Sequence, residues 1–396
     1  MKSEKLWNGN YLRVMTANFC MAFAFYVLTP LLPLYLSEHF SAGKDMIGLV
    51  LSGYTLTALL VRPFSGFIVD SFPRKRVLLI ALFFYFAFFG GYLLAGTLTL
   101  FAIVRTVHGA PFGASTVANS TVAIDVLPSS RRTEGIGYYG LSNNIATAIA
   151  PTIGVYIYTA THDFELLFWL AFAVAGLGLV ADYFVTTKDR PIVRGKKVLS
   201  LDRFFFLKGW PISANLVFFG ACYGILSNYL AIYGKERLGI LSGTGSFFML
   251  LSAGLIISRL TGARALRAGR LTGNATFGVF CSLAGYTMFV AWPSMTGYYL
   301  SAFLIGLGNG NMWPALQNMT INLAQNNERG TANSTILTCW DLGMGMGILA
   351  GGSAVEYFGY TTAFWSCAAL QAIGTAVFLL ATKAFYLRHY KPRCDI

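Results

Sequence analysis

The residues of this chain that can do chemistry are few, and most stand where a charge is out of place. Asp341 opens the run Asp341-Leu342-Gly343-Met344-Gly345-Met346-Gly347 inside an apolar stretch that begins near Thr331. On a helix that places the carboxyl about ten residues, or roughly 15 Å, from the start of the stretch. A carboxyl at such a depth is caught between burial, which opposes its charge, and a neighbouring guanidinium, which favours it, and a group so balanced can load and release a proton. Arg62, Arg105 and Arg259 likewise interrupt apolar stretches. Arg105 precedes His108 by one helical turn, so the two share a face; the pair can relay a proton, or the histidine can be a hydrogen-bonding structural residue. Arg62 and Arg259 either line a cavity or extend toward the membrane edge.

Amides and aromatic side chains complete the candidate set: Asn18 and Tyr26, Asn143 and Asn144, Asn228 and Tyr229, Asn309 and Trp313. Such groups can hydrogen-bond a small substrate, or they can join helices at about 0.6 to 2 kcal/mol each. Other chemistry is excluded. The six cysteines form no C-x-x-C pair, the four histidines (His39, His108, His162, His389) are scattered, and no G-x-x-x-x-G-K-S/T loop for ATP occurs. No metal, no cofactor, no ATP and no enzymatic activity are expected.

The elements that must position these residues follow from composition. Of 396 residues 56% are hydrophobic and 11% charged, with a mean hydropathy of +0.60, against about 25% charged in soluble domains. Apolar segments lie near 10–36, 46–70, 76–95, 98–124, 136–160 and 164–187, and again near 209–234, 244–263, 272–292, 296–322, 331–355 and 360–386. Each is long enough as a helix to cross about 30 Å of hydrocarbon. The fold class is all-α integral membrane: twelve transmembrane helices in two six-helix bundles, 1–187 and 209–396, joined by a cytoplasmic linker at 188–208. The first span is too long for a signal peptide and lacks a small-residue cleavage site, so it is expected to be retained.

The formal charge of +13 is explained by topology. With the N-terminus inside, Lys2, Lys5 and Arg13, Arg74 to Arg76, Arg131 and Arg132, the linker cations, Arg264, Arg267 and Arg270, Arg329 and the tail cations all fall on one side, leaving Lys44, Lys235 and Arg237 opposite. The positive-inside rule then puts both termini in the cytoplasm of a cell (inner) membrane, and nucleic acid is not a partner. The halves also repeat weakly: at one common offset Arg259 falls on Arg62, Arg329 on Arg132 and Asp341 on Asn144. Inverted or repeated halves place a substrate site near the midplane.

These features together resemble the major facilitator superfamily. Gly66-Phe67-Ile68-Val69-Asp70-Ser71-Phe72-Pro73-Arg74-Lys75-Arg76 looks like that family's motif A, G-x-L-a-D-r-x-G-r-K/R, with Pro73 where glycine is usual and Ser71 where arginine often stands. Arg105-Thr106-Val107-His108-Gly109 is similar to motif B, R-x-x-q-G, with histidine for glutamine. Ala150-Pro151-Thr152-Ile153-Gly154 looks like the antiporter motif C, keeping Pro151 and Gly154 while alanine replaces its leading glycine. The resemblance implies two pseudo-symmetric bundles around a central cavity, alternating access, proton transfer at Arg105, and a gate at Gly66, Asp70, Arg74, Lys75 and Arg76. It implies a monomeric, proton-coupled exporter of small amphipathic molecules or drugs, with Asp341, Arg105 and His108 handling the proton. Three embedded arginines against one embedded aspartate favour, as the alternative, an anionic or zwitterionic metabolite carried by an exporter or symporter. Candidate substrate contacts are Asn18, Tyr26, Arg62, Asn143, Asn144, Asn228, Tyr229, Arg259, Asn309, Trp313 and Asp341.

Overall fold

The computed structural model describes residues 6–128, 132–187, 205–238, 242–267, 270–324 and 329–390. In lipid every backbone N–H and C=O must be satisfied within the chain, and long apolar runs meet that demand as helices. The order is α1 (Gly9–Leu28), α2 (Leu32–Phe40), α3 (Lys44–Ser71), α4 (Arg74–Leu94), α5 (Leu98–Val126), α6 (Arg132–Thr161) and α7 (Phe164–Tyr183), then α8 (Trp210–Leu238), α9 (Ser242–Arg267), α10 (Leu271–Ala291), α11 (Met295–Leu323), α12 (Arg329–Val377) and α13 (Lys383–His389). Among the described residues, seven helical segments are long and apolar enough by themselves to span a membrane. Helices such as α5 and α11 fall short because they bury polar residues, Arg105, His108 and Asn119 in the one and Asn311 and Thr320 in the other.

One expected span differs in detail. The first, expected to run unbroken over 10–36, is divided: α1 starts on Asn8, whose side chain accepts the Tyr11 N–H at 2.9 Å, and stops before Thr29-Pro30-Leu31. Pro30 has no N–H to continue the ladder and disfavours helix in the residue before it. The last two expected spans, 331–355 and 360–386, are the two arms of α12, separated at Gly359, whose φ of 81° and ψ of 168° are non-helical and suit a residue without Cβ. A short π-helical turn at Phe378–Thr382 carries the second arm into α13.

The described chain forms two compact units. One comprises Met1–Gly43, Val50–Lys197 and Gly234–Gly245, the other Lys44–Leu49, Val198–Tyr233 and Ser246–Ile396. In the first unit α1 is the central post, packing on α5, α6 and α7. Gly154 of α6 is one reason it can do so, because a Cβ there would collide with the Val27 carbonyl of α1. Asn18 of α1 donates to Ser142 Oγ at 2.9 Å and to the Tyr139 carbonyl at 3.2 Å.

In the second unit α10 packs on α11 and α12, and small residues bring α8 against the first arm of α12. A methyl on Gly220 would stand 2.5 Å from the Trp340 carbonyl oxygen, one on Gly224 2.5 Å from that of Met344, and Cβ atoms on Gly343 and Gly347 would strike the backbones of Val217 and Ala221. Close backbone approach through small residues four apart is how helices associate where lipid is as apolar as the side chains. Gly220 and Gly224 are thus internal packing residues. Gly343→Val is expected to force these backbones apart and destabilise the protein by about 1–3 kcal/mol or more, read as a fall in detergent melting temperature.

Candidate substrate and proton site

In the first unit the motif B residues form one buried cluster. Gly109 lets α5 approach α3, since a Cβ would run into the Tyr54 carbonyl, and the contact holds Arg105 and His108 inward. Arg105, 5% exposed, donates from Nη1 to the Tyr92 hydroxyl at 3.0 Å, and that hydroxyl lies 2.7 Å from His108 Nδ1. Having accepted from the guanidinium, the Tyr92 hydroxyl has its own proton to give, which fits the His108 tautomer with Nδ1 as acceptor. The guanidinium carbon is 4.1 Å above the Tyr54 ring and 5.6 Å above Phe25, a cation–π stack of the kind that planar, weakly hydrated arginine makes well. His108 is walled by Tyr54, Tyr85, Phe88, Phe89 and Tyr92, with centroids 4.8–5.6 Å away. Arg105 and His108 therefore do share a face, as their spacing requires, and Tyr92 of α4 is the link that spacing does not disclose. Arg62 of α3 is also buried, 6% exposed.

Arg74, at the start of α4, places Nη1 2.8 Å from both carboxylate oxygens of Asp125 near the end of α5. Lys75 stands 5.8 Å over the Tyr183 ring, and Arg76 is exposed. Charge-assisted bonds are worth about 1.5–3 kcal/mol, less where water reaches them. Arg74→Ala is expected to cost about 1–2 kcal/mol of unfolding free energy, measured by denaturant titration in detergent, and Arg76→Ala nothing measurable.

In the second unit Asp341 is 8% exposed, on the arm of α12 that Gly343 and Gly347 press against α8. Its neighbour Trp340 stands edge-on to Trp313 of α11, centroids 4.8 Å apart, and 5.7 Å from the Tyr223 ring. Asn309 of α11 accepts from Ser282 of α10 at 3.3 Å. Tyr229 donates to the Ile348 carbonyl at 2.9 Å, and Asn228 bonds back to its own helix at the Gly224 carbonyl, also 2.9 Å. Tyr26 and Asn143 are partly exposed. The side chains of Gly66, Asp70, Asn144 and Arg259, and residues 188–204 of the linker, lie outside the described residues.

The model of the Major Facilitator Superfamily matches residues 14–347 and again 267–393. The chain belongs to the major facilitator superfamily. As a member of that superfamily it is a multi-pass membrane transporter with the all-α fold, and its function is transport, not catalysis. It is 23% identical over 389 residues to the staphylopine export protein of Staphylococcus aureus (strain Mu50 / ATCC 700699), covering 94% of this chain and 96% of that one. It is 27% identical over 187 residues to a Na(+), Li(+), K(+)/H(+) antiporter of Planococcus maritimus, over 46% and 43% of the two chains. Its fold matches the human organic anion transporter MFSD10 with a TM-score of 0.73 at 16% identity, over 93% of this chain and 98% of that one.

One buried acid of this superfamily member escapes the sequence reading, which takes Asp341 as its one deep carboxyl. Asp182, in the last turn of α7, is 0% exposed. Hydropathy puts it at a helix end, where water is expected; packing of α5 and α6 around that end encloses it. The signal available was its isolation, since apart from Glu165 at the other end it is the one charged residue of α7.

Proposed function

We propose that this transporter is a proton-driven exporter of small amphipathic molecules that works by alternating access, with both termini on the cytoplasmic side of a bacterial inner membrane. The observation that carries the reading is Asp341, a carboxyl buried on the glycine-rich arm of α12, where an ionisable group is expensive and belongs to a transport pathway. Support for direction comes from the exporter that matches nearly the whole chain, and for exchange against protons from the cation/proton antiporter that matches part of it. Pro151 and Gly154, kept from the antiporter motif, agree with exchange. In this reading Asp341 trades a proton for substrate, Arg105 with Tyr92 and His108 sets the polarity of the first unit's interior, and Arg74 with Asp125 braces the inner face.

A second reading, transport of an organic anion or zwitterion, is favoured by two buried guanidiniums in the first unit, Arg62 and Arg105. Efflux of matched cationic, zwitterionic and anionic fluorophores from loaded cells, with and without an uncoupler, separates the two. Uncoupler-sensitive efflux of the cation supports the first substrate class, and of the anion or zwitterion the second. Efflux that no uncoupler slows would contradict proton coupling.

A further inference from the structure

Asp182 has no part in the reading above, yet its surroundings are built for a single group. Its Oδ2 accepts from Asn119 Nδ2 of α5 at 2.7 Å, and Asn119 Oδ1 in turn accepts from the Tyr139 hydroxyl of α6 at 2.7 Å. Its Oδ1 is buried and has no hydrogen-bond partner among the described residues. The titratable groups that face it are Cys20 on α1, Tyr139 on α6 and Lys75 on α4. Tyr11 of α1 faces Tyr139 from the other side and donates to the Gly135 carbonyl at 2.5 Å. Lys75 forms no ion pair with Asp182 among the described residues; its ammonium rests over the Tyr183 ring.

A carboxylate offers about four acceptor positions, and one amide donor reaches this one. Burying an ionised carboxyl with so little compensation costs far more than burying the neutral acid, and a proton on Oδ1 removes the imbalance. Asp182 is also one residue from the end of α7, so on the orientation proposed above it lies within reach of the cytoplasm. If the proton leaves, the carboxylate needs a second partner, and Lys75 is the cation at hand. Its ammonium, now over the ring of the adjacent Tyr183, would then turn to Asp182, a two-position contact that proton occupancy selects.

We propose that Asp182 is a second proton-binding group of this transporter, held by Asn119 and Tyr139, separate from Asp341 and from the Arg105–Tyr92–His108 cluster, with Lys75 as its alternative partner. The proposal rests on the proton-coupled reading for its role in transport, but not for its protonation. Infrared difference spectroscopy of the purified full-length protein, titrated between about pH 5 and 9 around the ordinary carboxyl and histidine ranges, reads it directly. A carboxylic-acid C=O band is expected that fades as pH rises, is absent in Asp182→Asn and persists in Asp341→Asn. Lys75→Gln is expected to move the fading about one unit to higher pH, because an attractive cation is gone. Transport by Asp182→Asn is expected to lose the change in rate that falls in the pH range where the band fades, while the dependence carried by Asp341 remains.

If Asp182→Asn does not fold, Tyr139→Phe serves: it loosens the Asn119 amide and is expected to shift the band's frequency. Absence of any band assignable to Asp182, or a band that never titrates beside an unchanged transport profile, overturns the proposal. The spectrum needs neither substrate nor gradient, so a missing band counts against Asp182 alone, whereas failure of substrate-driven proton release counts against proton coupling as a whole.

Discussion

Asp341→Asn is expected to abolish uphill transport while sparing downhill exchange of substrate. Asparagine matches the shape of aspartate and keeps its hydrogen-bonding reach but has no proton to give, so the site still forms while the coupling is lost. The setting supports a clean substitution: Asp341 is buried beside Trp340, which is held by Trp313 and Tyr223, and the helix around it is fixed by Gly343 and Gly347 against α8. Asparagine preserves the volume packed at this position, so the variant should still fold, which its melting temperature in detergent checks. Each tenfold of accumulation against a gradient corresponds to about 1.4 kcal/mol of driving force; with the proton uncoupled, accumulation should fall to the passive distribution. Initial rates of proton-driven transport are expected to drop about a hundredfold or more, measured with radiolabelled or fluorescent substrate in vesicles.

Arg105→Lys is expected to lower transport nearly as far, although it keeps the charge. The guanidinium makes two contacts at once, the stack 4.1 Å over Tyr54 and the bond to the Tyr92 hydroxyl. A desolvated cation–π contact is worth about 2 kcal/mol, and a charge-assisted hydrogen bond about 1.5–3 kcal/mol. An ammonium on a flexible stem can keep one of these but not both, and it leaves the Tyr92–His108 pair without its anchor. The expected result is a loss of about 10- to 100-fold in transport rate. His108→Gln supplies the comparison. Glutamine is the residue usual at this place in motif B and can accept from Tyr92 as imidazole does, so its rate should stay within about threefold of the parent. A larger loss in His108→Gln than in Arg105→Lys would show that the titrating imidazole, not the guanidinium, carries the function of the cluster.

Most of the helices were legible because apolar runs in a membrane have one solution. Where expectation and structure part, a local rule gave way to another. The first span was expected to run unbroken, and Pro30 divides it. Gly359 falls in the gap expected between the last two spans, and its positive φ is what breaks the helix there. The candidate site was less legible, because the same side chain can contact substrate or join helices, and only tertiary contact decides. Asn18 and Tyr229 bond neighbouring helices in the structure; Arg105 and His108 are united by Tyr92, a residue on another helix that no spacing could point to. Asp182 was passed over for the converse reason: a polar residue near a helix end is ordinarily solvated, and what encloses it comes from other helices, such as Asn119 of α5 and Tyr139 of α6.

The central claim is that substrate and protons move in exchange. Purified protein in liposomes loaded with a pH-reporting dye, placed under an imposed pH gradient and given substrate, tests it most directly. The account predicts proton movement that begins with substrate addition, opposes the substrate's direction, and vanishes in Asp341→Asn. Substrate flux with no accompanying proton movement, or proton movement undiminished in Asp341→Asn, would contradict it.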